Sequence, residues 1–122
     1  MDPGGDRNSL TELRRGVLEY CVLAVVREKE AYAYDIVRAL SRSGELVTSE
    51  GTLYPLLSRL RRSGLVSARW RESPSGPPRR YYRITDAGRR ALRDFTVDWD
   101  AFSAAVDAML GDGRGRGTDD AP

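Results

Sequence analysis

Hydrophobic positions in the first half of the chain recur every three or four residues, the spacing that places them on one face of a helix. A first helix is predicted to begin at Ser9 or Thr11, either of which can cap it. Its two apolar stripes consist of Leu10, Leu13, Val17, Cys21, Ala24 and Val25 on one side and of Leu18, Val22 and Val26 on the other. Two stripes need cover on two sides, by the helix's own domain and by a partner. A second helix is predicted over about residues 32–42, ending before Gly44.

A third helix, about residues 50–63, ends at Gly64 and turns four leucines to one face, Leu53, Leu56, Leu57 and Leu60. Pro55 is expected early in the helix, within about the first turn, where a missing N–H costs no helical hydrogen bond. Alternating apolar and basic residues then predict a β-hairpin over about residues 66–84, with Trp70 on its buried face and in the core.

A last helix, about residues 86–110 and capped by Thr85 or Asp86, repeats large apolar residues every seven positions. Such a short seam does not hold an isolated coiled coil, so it is predicted to pack against another copy of the chain. The alternative is a helix packed within its own subunit. The predicted dimer interface comprises Leu13, Val17, Leu92, Phe95, Trp99, Phe102, Val106 and Met109.

Positive charge is concentrated in about one fifth of the chain. From Arg59 to Arg83 there are eight arginines and a single acid, Glu72, which gives this stretch a net charge of +7, whereas the whole chain carries +2. A helix followed by a basic hairpin is typical of a winged helix-turn-helix that binds DNA. Residues 1–8 and 111–122 contain little to bury and are predicted to be disordered tails. Between them lie a DNA-binding domain over residues 9–85 and the dimerisation helix over residues 86–110.

Composition argues against other classes of protein. The chain has no histidine and one cysteine, so a catalytic Cys/His pair or a structural zinc site cannot be built, and neither enzyme activity nor a cofactor is predicted. No apolar run is long enough to span a membrane, and no secretory signal is visible, so the predicted location is the cytoplasm. Cys21 is expected to be a small core residue, with a redox role as the alternative.

The predicted DNA contacts divide between the third helix and the hairpin. Base contacts are assigned to the start of the helix, at Ser49, Thr52, Tyr54 and Pro55. Phosphate contacts are assigned to Arg59 and Arg62, and phosphate or minor-groove contacts to Arg79 and Arg80. The alternatives are packing against the hairpin for Tyr54 and simple solubilisation for the last two arginines.

Two segments resemble the signature of the PadR-like transcriptional regulators, namely GTLYPLLSRLRRSGLV (51–66) and PPRRYYRITDAG (77–88). The similarity spans about residues 10–110. The resemblance implies a dimeric winged-helix repressor that binds an inverted-repeat operator. It also implies that the last helix exchanges with the partner's first helix and that any effector binds in or near the dimer interface. With its single C-terminal helix, the chain resembles the short branch of the family.

The sequence therefore predicts an α+β, mostly helical protein, a winged helix-turn-helix domain with a C-terminal dimerisation helix. Its predicted function is that of a homodimeric repressor that binds double-stranded DNA and is released by a small-molecule effector. A candidate pocket for a small aromatic effector consists of Tyr20, Phe95, Trp99 and Phe102, although aromatic residues at heptad spacing more often form a plain interface, which is the alternative. The alternative function is a winged-helix protein-interaction module whose basic hairpin grips an acidic partner.

Overall fold

The structure, a computed structural model, describes the backbone of residues 3–111 and the side chains from residue 12 onward. In chain order the elements are α1 (Pro3–Glu28), β1 (Ala31–Tyr32), α2 (Ala33–Ser41), a 3-10 turn (Gly44–Leu46), α3 (Glu50–Arg62), β2 (Val66–Ser73), β3 (Gly76–Ile84) and α4 (Asp86–Leu110). The predicted fold class, α+β and mostly helical, is confirmed.

Two compact units divide the chain, Met1–Leu92 and Arg93–Pro122. The first seven residues of α4 thus belong to the first unit, although the sequence suggested a boundary at residue 86. The helix α1 begins at Pro3, so residues 3–8, which were predicted to form a tail, are helical, and neither Ser9 nor Thr11 is its cap. Of the predicted C-terminal tail, residues 112–122 lie outside the described residues.

The core of the first unit joins the inner faces of its helices to one face of the sheet. The helix α1 contributes its C-terminal half, and α3 contributes all four leucines predicted to be buried. The buried apolar residues are Val22, Leu23, Val26, Ala31, Ala33, Ile36, Leu40, Leu53, Leu56, Leu57, Leu60, Val66, Tyr82, Ile84 and Leu92. Cys21 packs against this cluster, and partial burial raises the pKa of its thiol, which keeps the sulfur protonated and unreactive.

The three strands form an antiparallel sheet in the order β1-β3-β2. Val66 pairs with Ile84 and Ala68 with Tyr82, so these pairs share the inner face, which packs on the helices. Ser67, Arg69 and Arg71 alternate onto the outer face. The strand β1 was not predicted, because its two residues, Ala31 and Tyr32, are too few to show an alternating pattern.

Pro55 is the sixth residue of α3, beyond the first turn in which the sequence placed it. Its missing N–H therefore leaves the carbonyl of Gly51, four residues upstream, without a helical donor. The helix begins one residue after Ser49, whose Oγ accepts a hydrogen bond from the Thr52 N–H at 3.2 Å. With Ser49 as its cap, the helix begins at Glu50, and Pro55 therefore lies in its second turn.

Hydrogen bonds made by Thr85 connect the end of α3 to the start of α4. Gly64 ends α3 with φ of +77°, a left-handed conformation that suits glycine. The Thr85 hydroxyl donates to the Gly64 carbonyl at 2.6 Å and accepts from the Gly88 N–H at 3.0 Å, so Thr85 is the cap of α4. The Thr85 N–H donates to the Leu65 carbonyl at 3.1 Å. The turn after α3 is thereby fixed to the first turn of α4.

Candidate nucleic-acid interface

The first turns of α3 present a polar, exposed surface. Ser49, Thr52, Tyr54 and Pro55 are all exposed, as the predicted base contacts require. The Tyr54 hydroxyl donates to Glu50 Oε1 at 3.4 Å. Partial burial, followed by the charge of Glu50, raises the pKa of Tyr54, so its hydroxyl stays protonated and remains a hydrogen-bond donor. The Ser49 hydroxyl is already engaged as the helix cap, which leaves it less available to a base than the sequence suggested.

The two arginines predicted to bind phosphate from α3 have different surroundings. Arg59 donates from Nε to Oε2 of Glu19 on α1, at 3.0 Å, and from Nη2 to the same oxygen. Its guanidinium therefore holds α3 against α1 and shares its charge with a carboxylate. Arg62 is exposed and makes no ion pair with any residue between 12 and 111.

Trp70 is exposed, so its predicted place in the core is wrong. Its side chain is 67% exposed, although it lies on the same face of β2 as buried Val66 and half-buried Ala68. Burial on the inner face of β2 falls from Val66 through Ala68 to Trp70, so the core does not cover this end of the hairpin. Cross-strand pairing places Arg80 opposite Trp70, with its guanidinium carbon 5.8 Å from the centre of the indole ring. An exposed tryptophan beside arginine is suited to stacking contacts.

The outer face of the sheet carries arginines stacked on tyrosines. The guanidinium carbon of Arg79 lies 4.4 Å from the ring centre of Tyr32, and that of Arg71 lies 4.6 Å from the ring centre of Tyr81. The two tyrosine rings are themselves 5.4 Å apart. Stacking fixes the planes of the guanidinium groups, which lowers the entropy lost when they bind an anion.

Glu30, in the turn between α1 and β1, binds two arginines of β2 that the sequence did not pair with it. It accepts from Arg69 Nε at 3.1 Å, from Arg69 Nη2 at 2.7 Å and from Arg71 Nη1 at 3.2 Å. The hydrogen bond from Arg69 lowers the pKa of Glu30 and raises that of Arg69, so both groups stay charged. The partners are 39 and 41 residues apart in sequence, and no local pattern signals such a contact.

An open groove of about 630 Å³ lies beside the exposed face of α3. Arginine side chains from α1 and α3 surround an apolar floor, and two of the predicted base contacts, Thr52 and Pro55, form part of its wall. The lining residues are Arg14, Arg15, Leu18, Val47, Thr48, Thr52, Pro55, Leu56 and Arg59. Because they come from three separate segments, no pattern in the sequence indicates this groove.

The predicted dimer residues differ in exposure. Leu92 is buried in the core of its own subunit at 6% exposure, so its inclusion in the interface is not supported. In α1, Leu13 is 54% exposed and Val17 half-buried. In the second unit, Phe95 and Val106 are half-buried, whereas Trp99, Phe102 and Met109 are exposed, as are the unpredicted Val97 and Leu110.

The four residues of the candidate effector pocket lie in both units. Phe95 and Trp99, one turn apart on α4, stack with ring centres 5.9 Å apart and planes inclined by 19°. Phe102 follows on the same helix and is 60% exposed. Tyr20 is half-buried on α1, in the first unit.

Two further features are absent from the described part of the chain. Between residues 3 and 111, no helix is long and apolar enough to cross a membrane. The described side chains include no cluster of three Cys, Asp or Glu residues that could hold a metal ion.

Similarity to known proteins agrees with this architecture. A model of the transcriptional regulator PadR-like family matches residues 22–94. Transcriptional regulator Rv3488 of Mycobacterium tuberculosis is 38% identical over 85 residues, which cover 70% of this chain and 78% of that protein. The crystal structure of a PadR family transcriptional regulator from Eggerthella lenta superposes with a TM-score of 0.75 at 38% identity, covering 85% of this chain and 90% of that one. Bacillus subtilis PadR in complex with operator DNA gives a TM-score of 0.62 at 26% identity, over 66% of this chain and 47% of that one.

Proposed function

Because this chain belongs to the PadR-like family of transcriptional regulators, as its sequence motifs predicted, we propose that it is a homodimeric, cytoplasmic repressor that binds an inverted-repeat operator. Members of this family are regulators of transcription and not enzymes. The observation that carries the proposal is the basic surface formed by α3 and the hairpin β2–β3. We call this hairpin the wing. The complex of Bacillus subtilis PadR with operator DNA supports a DNA partner for a related fold.

Sequence-specific recognition of DNA is assigned to the start of α3, and affinity for its phosphates is assigned to the arginines. Thr52, Tyr54 and Pro55 are exposed on the helix that enters the major groove in winged-helix proteins. Arg62 follows on the same helix, and Arg79 and Arg80 lie on β3 without a carboxylate partner among the described residues. No described carboxylate neutralises the charge of these arginines, which leaves that charge available to phosphate.

Dimerisation is assigned to the apolar residues of α4 together with α1. Trp99, Phe102 and Met109 are exposed at positions three and seven residues apart, a spacing that suits packing against another helix. Exposed Leu13 gives α1 an apolar position that needs a partner. A symmetric dimer would place two α3 helices about one turn of DNA apart, roughly 34 Å, so the operator is expected to be an inverted repeat.

A small aromatic effector is assigned to the candidate pocket around Phe95 and Trp99. The support is the stacked, partly exposed ring pair, which offers a flat apolar surface beside the proposed interface. Binding there would release the repressor if the ligand-bound dimer held its α3 helices at a spacing that no longer fits the operator. Quenching of Trp99 fluorescence, measured with Trp70 replaced by Phe, tests whether aromatic ligands bind at this pocket.

Titration of the protein on DNA from upstream of its own gene, at several salt concentrations, tests the central proposal. If a dimer neutralises about five to eight phosphates, the plot of log K against log salt should have a slope of roughly −4.5 to −7. Moving one half-site by five base pairs should abolish tight binding, because the half-site then lies on the opposite side of the duplex. A slope near zero would refute DNA binding and favour the protein-interaction module.

A further inference from the structure

Glu30 neutralises part of the basic surface from within the same chain. Its carboxylate receives three hydrogen bonds, two from Arg69 and one from Arg71, at 2.7 to 3.2 Å. Its side chain is 19% exposed, whereas those of Arg69 and Arg71 are 58% and 46% exposed. A less exposed carboxylate therefore anchors two guanidinium groups whose outer edges face solvent.

The contact with Arg69 uses the edge of the guanidinium that also grips phosphate. Nε and Nη2 bind the two carboxylate oxygens in parallel, and the same pair of donors forms two-bond contacts with phosphate oxygens. A phosphate approaching this edge would have to displace Glu30. Arg71 is restrained twice, because its guanidinium also stacks on Tyr81.

The other arginines of the wing, Arg79, Arg80 and Arg83, bind no carboxylate among the described residues. Arg79 and Arg80, on β3, make no ion pair with any described residue, and their contacts are with the rings of Tyr32 and Trp70. An aromatic ring leaves the charge of a guanidinium unneutralised, whereas a carboxylate cancels it. The two strands of the wing therefore differ in the charge that they can offer to DNA.

We propose that Glu30 is a positioning residue that withholds Arg69 and Arg71 from DNA, so that phosphate contacts of the wing are limited to the arginines of β3. This inference rests on the proposed DNA binding. It assigns to Glu30 the control of how many phosphates the protein neutralises, and hence of its affinity for DNA of any sequence. By keeping that affinity low, Glu30 leaves a larger share of binding to the contacts that α3 makes with bases.

Salt dependence on scrambled duplex DNA tests the proposal, because every additional phosphate that the protein neutralises steepens the slope of log K against log salt by about 0.9. In the background that retains Glu30, Arg69→Ala is expected to leave the slope unchanged. Glu30→Gln is expected to steepen it by about 1.8 per dimer if Arg69 alone is released, and by about 3.6 if Arg71 is released as well. In the Glu30→Gln background, Arg69→Ala should then reverse about 1.8 of that steepening.

Glu28→Gln is the matched control. Glu28 lies two residues upstream, is 72% exposed and pairs only with Arg27 among the described residues, so the substitution removes the same charge without releasing a wing arginine. Its slope should equal that of the wild type. An equal steepening in both glutamine variants would mean that net charge alone acts, and would overturn the proposal.

The single variants Arg69→Ala and Arg71→Ala decide the matter even if Glu30→Gln fails to fold, since both side chains are exposed. A shallower slope for Arg69→Ala in the wild-type background would show that Arg69 binds phosphate in spite of Glu30, and would refute the inference while DNA binding stands. A purely structural role for Glu30 would lower the melting temperature of Glu30→Gln and leave its slope unchanged, which would also refute it. A wild-type slope near zero would refute the proposed function itself.

Discussion

Replacing Gly88 by alanine should destabilise the protein, although alanine is the better helix former. Gly88 is the third residue of α4 and is buried. A Cβ atom there would lie 2.1 Å from the Leu65 carbonyl oxygen and 2.7 Å from Ile84 Cγ1. The Leu65 carbonyl cannot easily move aside, because it accepts the Thr85 N–H at 3.1 Å. The backbone after α3 or the first turn of α4 would have to shift.

The expected size follows from two opposing effects. Alanine in place of glycine stabilises a helix interior by about 1 kcal/mol. Forcing an extra carbon into a packed site typically costs about 1–3 kcal/mol and sometimes more, and a clash with backbone belongs at the upper end. The net effect should be a loss of about 2 kcal/mol in the free energy of unfolding, a large share of the roughly 5–15 kcal/mol of a typical domain.

Gly16→Ala is the matched comparison, with the opposite sign. Gly16 lies in α1, is exposed, and a Cβ there would meet nothing within 4 Å. This substitution should leave stability unchanged or raise it by up to about 1 kcal/mol. Urea denaturation of both variants, at one protein concentration because the proposed dimerisation would contribute to stability, measures the difference. Gly88→Ala can unfold at the same urea concentration as the wild type or at a higher one only if a Cβ at residue 88 does not clash with the Leu65 carbonyl. That result would refute the close approach of α4 to Leu65.

Three further substitutions test the proposed dimer, the core of the subunit and the reading of DNA. Trp99→Ala should cost the dimer roughly 3–5 kcal/mol, the loss expected for a large aromatic buried between subunits, and sedimentation should show monomers, whereas Leu92→Ala should lower folding stability by about 2–5 kcal/mol through the core of each subunit. A Trp99→Ala protein that stays dimeric at micromolar concentration would exclude this interface. Tyr54→Phe should cost about 1 kcal/mol per hydroxyl on the operator and nothing on scrambled DNA, because it changes no charge. Equal losses on both DNAs would make Tyr54 a backbone contact, and no loss on either would leave it a packing residue.

Local sequence patterns predicted the elements that depend on local physics. The leucines of α3 fall on one face because helical spacing leaves little choice, and the structure buries all four. The alternation of apolar and basic residues predicted the hairpin. Thr85 was one of two residues predicted to cap α4 because it precedes an apolar helix, and its hydroxyl does cap that helix. The motifs of residues 51–66 and 77–88 were sufficient to indicate the family that the comparisons show.

The predictions that failed have a common cause. A local pattern carries no information about the parts of the fold that are distant in sequence. Alternation places Trp70 on the inner face of β2, but it does not say where along the strand the helical core ends. Heptad spacing put Leu92 in the same seam as Trp99, but the start of α4 lies against the core of the first unit. The partners Glu19 and Glu30 are 39 to 41 residues from their arginines, so no window of sequence could pair them.

These long-range pairs change the charge that a polyanion would meet. The stretch from Arg59 to Arg83 carries +7 when it is counted along the sequence. Glu19 and Glu30 lie outside that stretch, yet they bind three of its eight arginines, and their two charges reduce the local total to +5. The arginines of this stretch without an ion pair among the described residues are Arg61, Arg62, Arg79, Arg80 and Arg83. Two of these are on α3 and three on β3, so the phosphates that the protein neutralises should follow the exposed end of α3 and the returning strand of the wing. The outgoing strand β2, whose arginines are bound to Glu30, should contribute little to the salt dependence of binding.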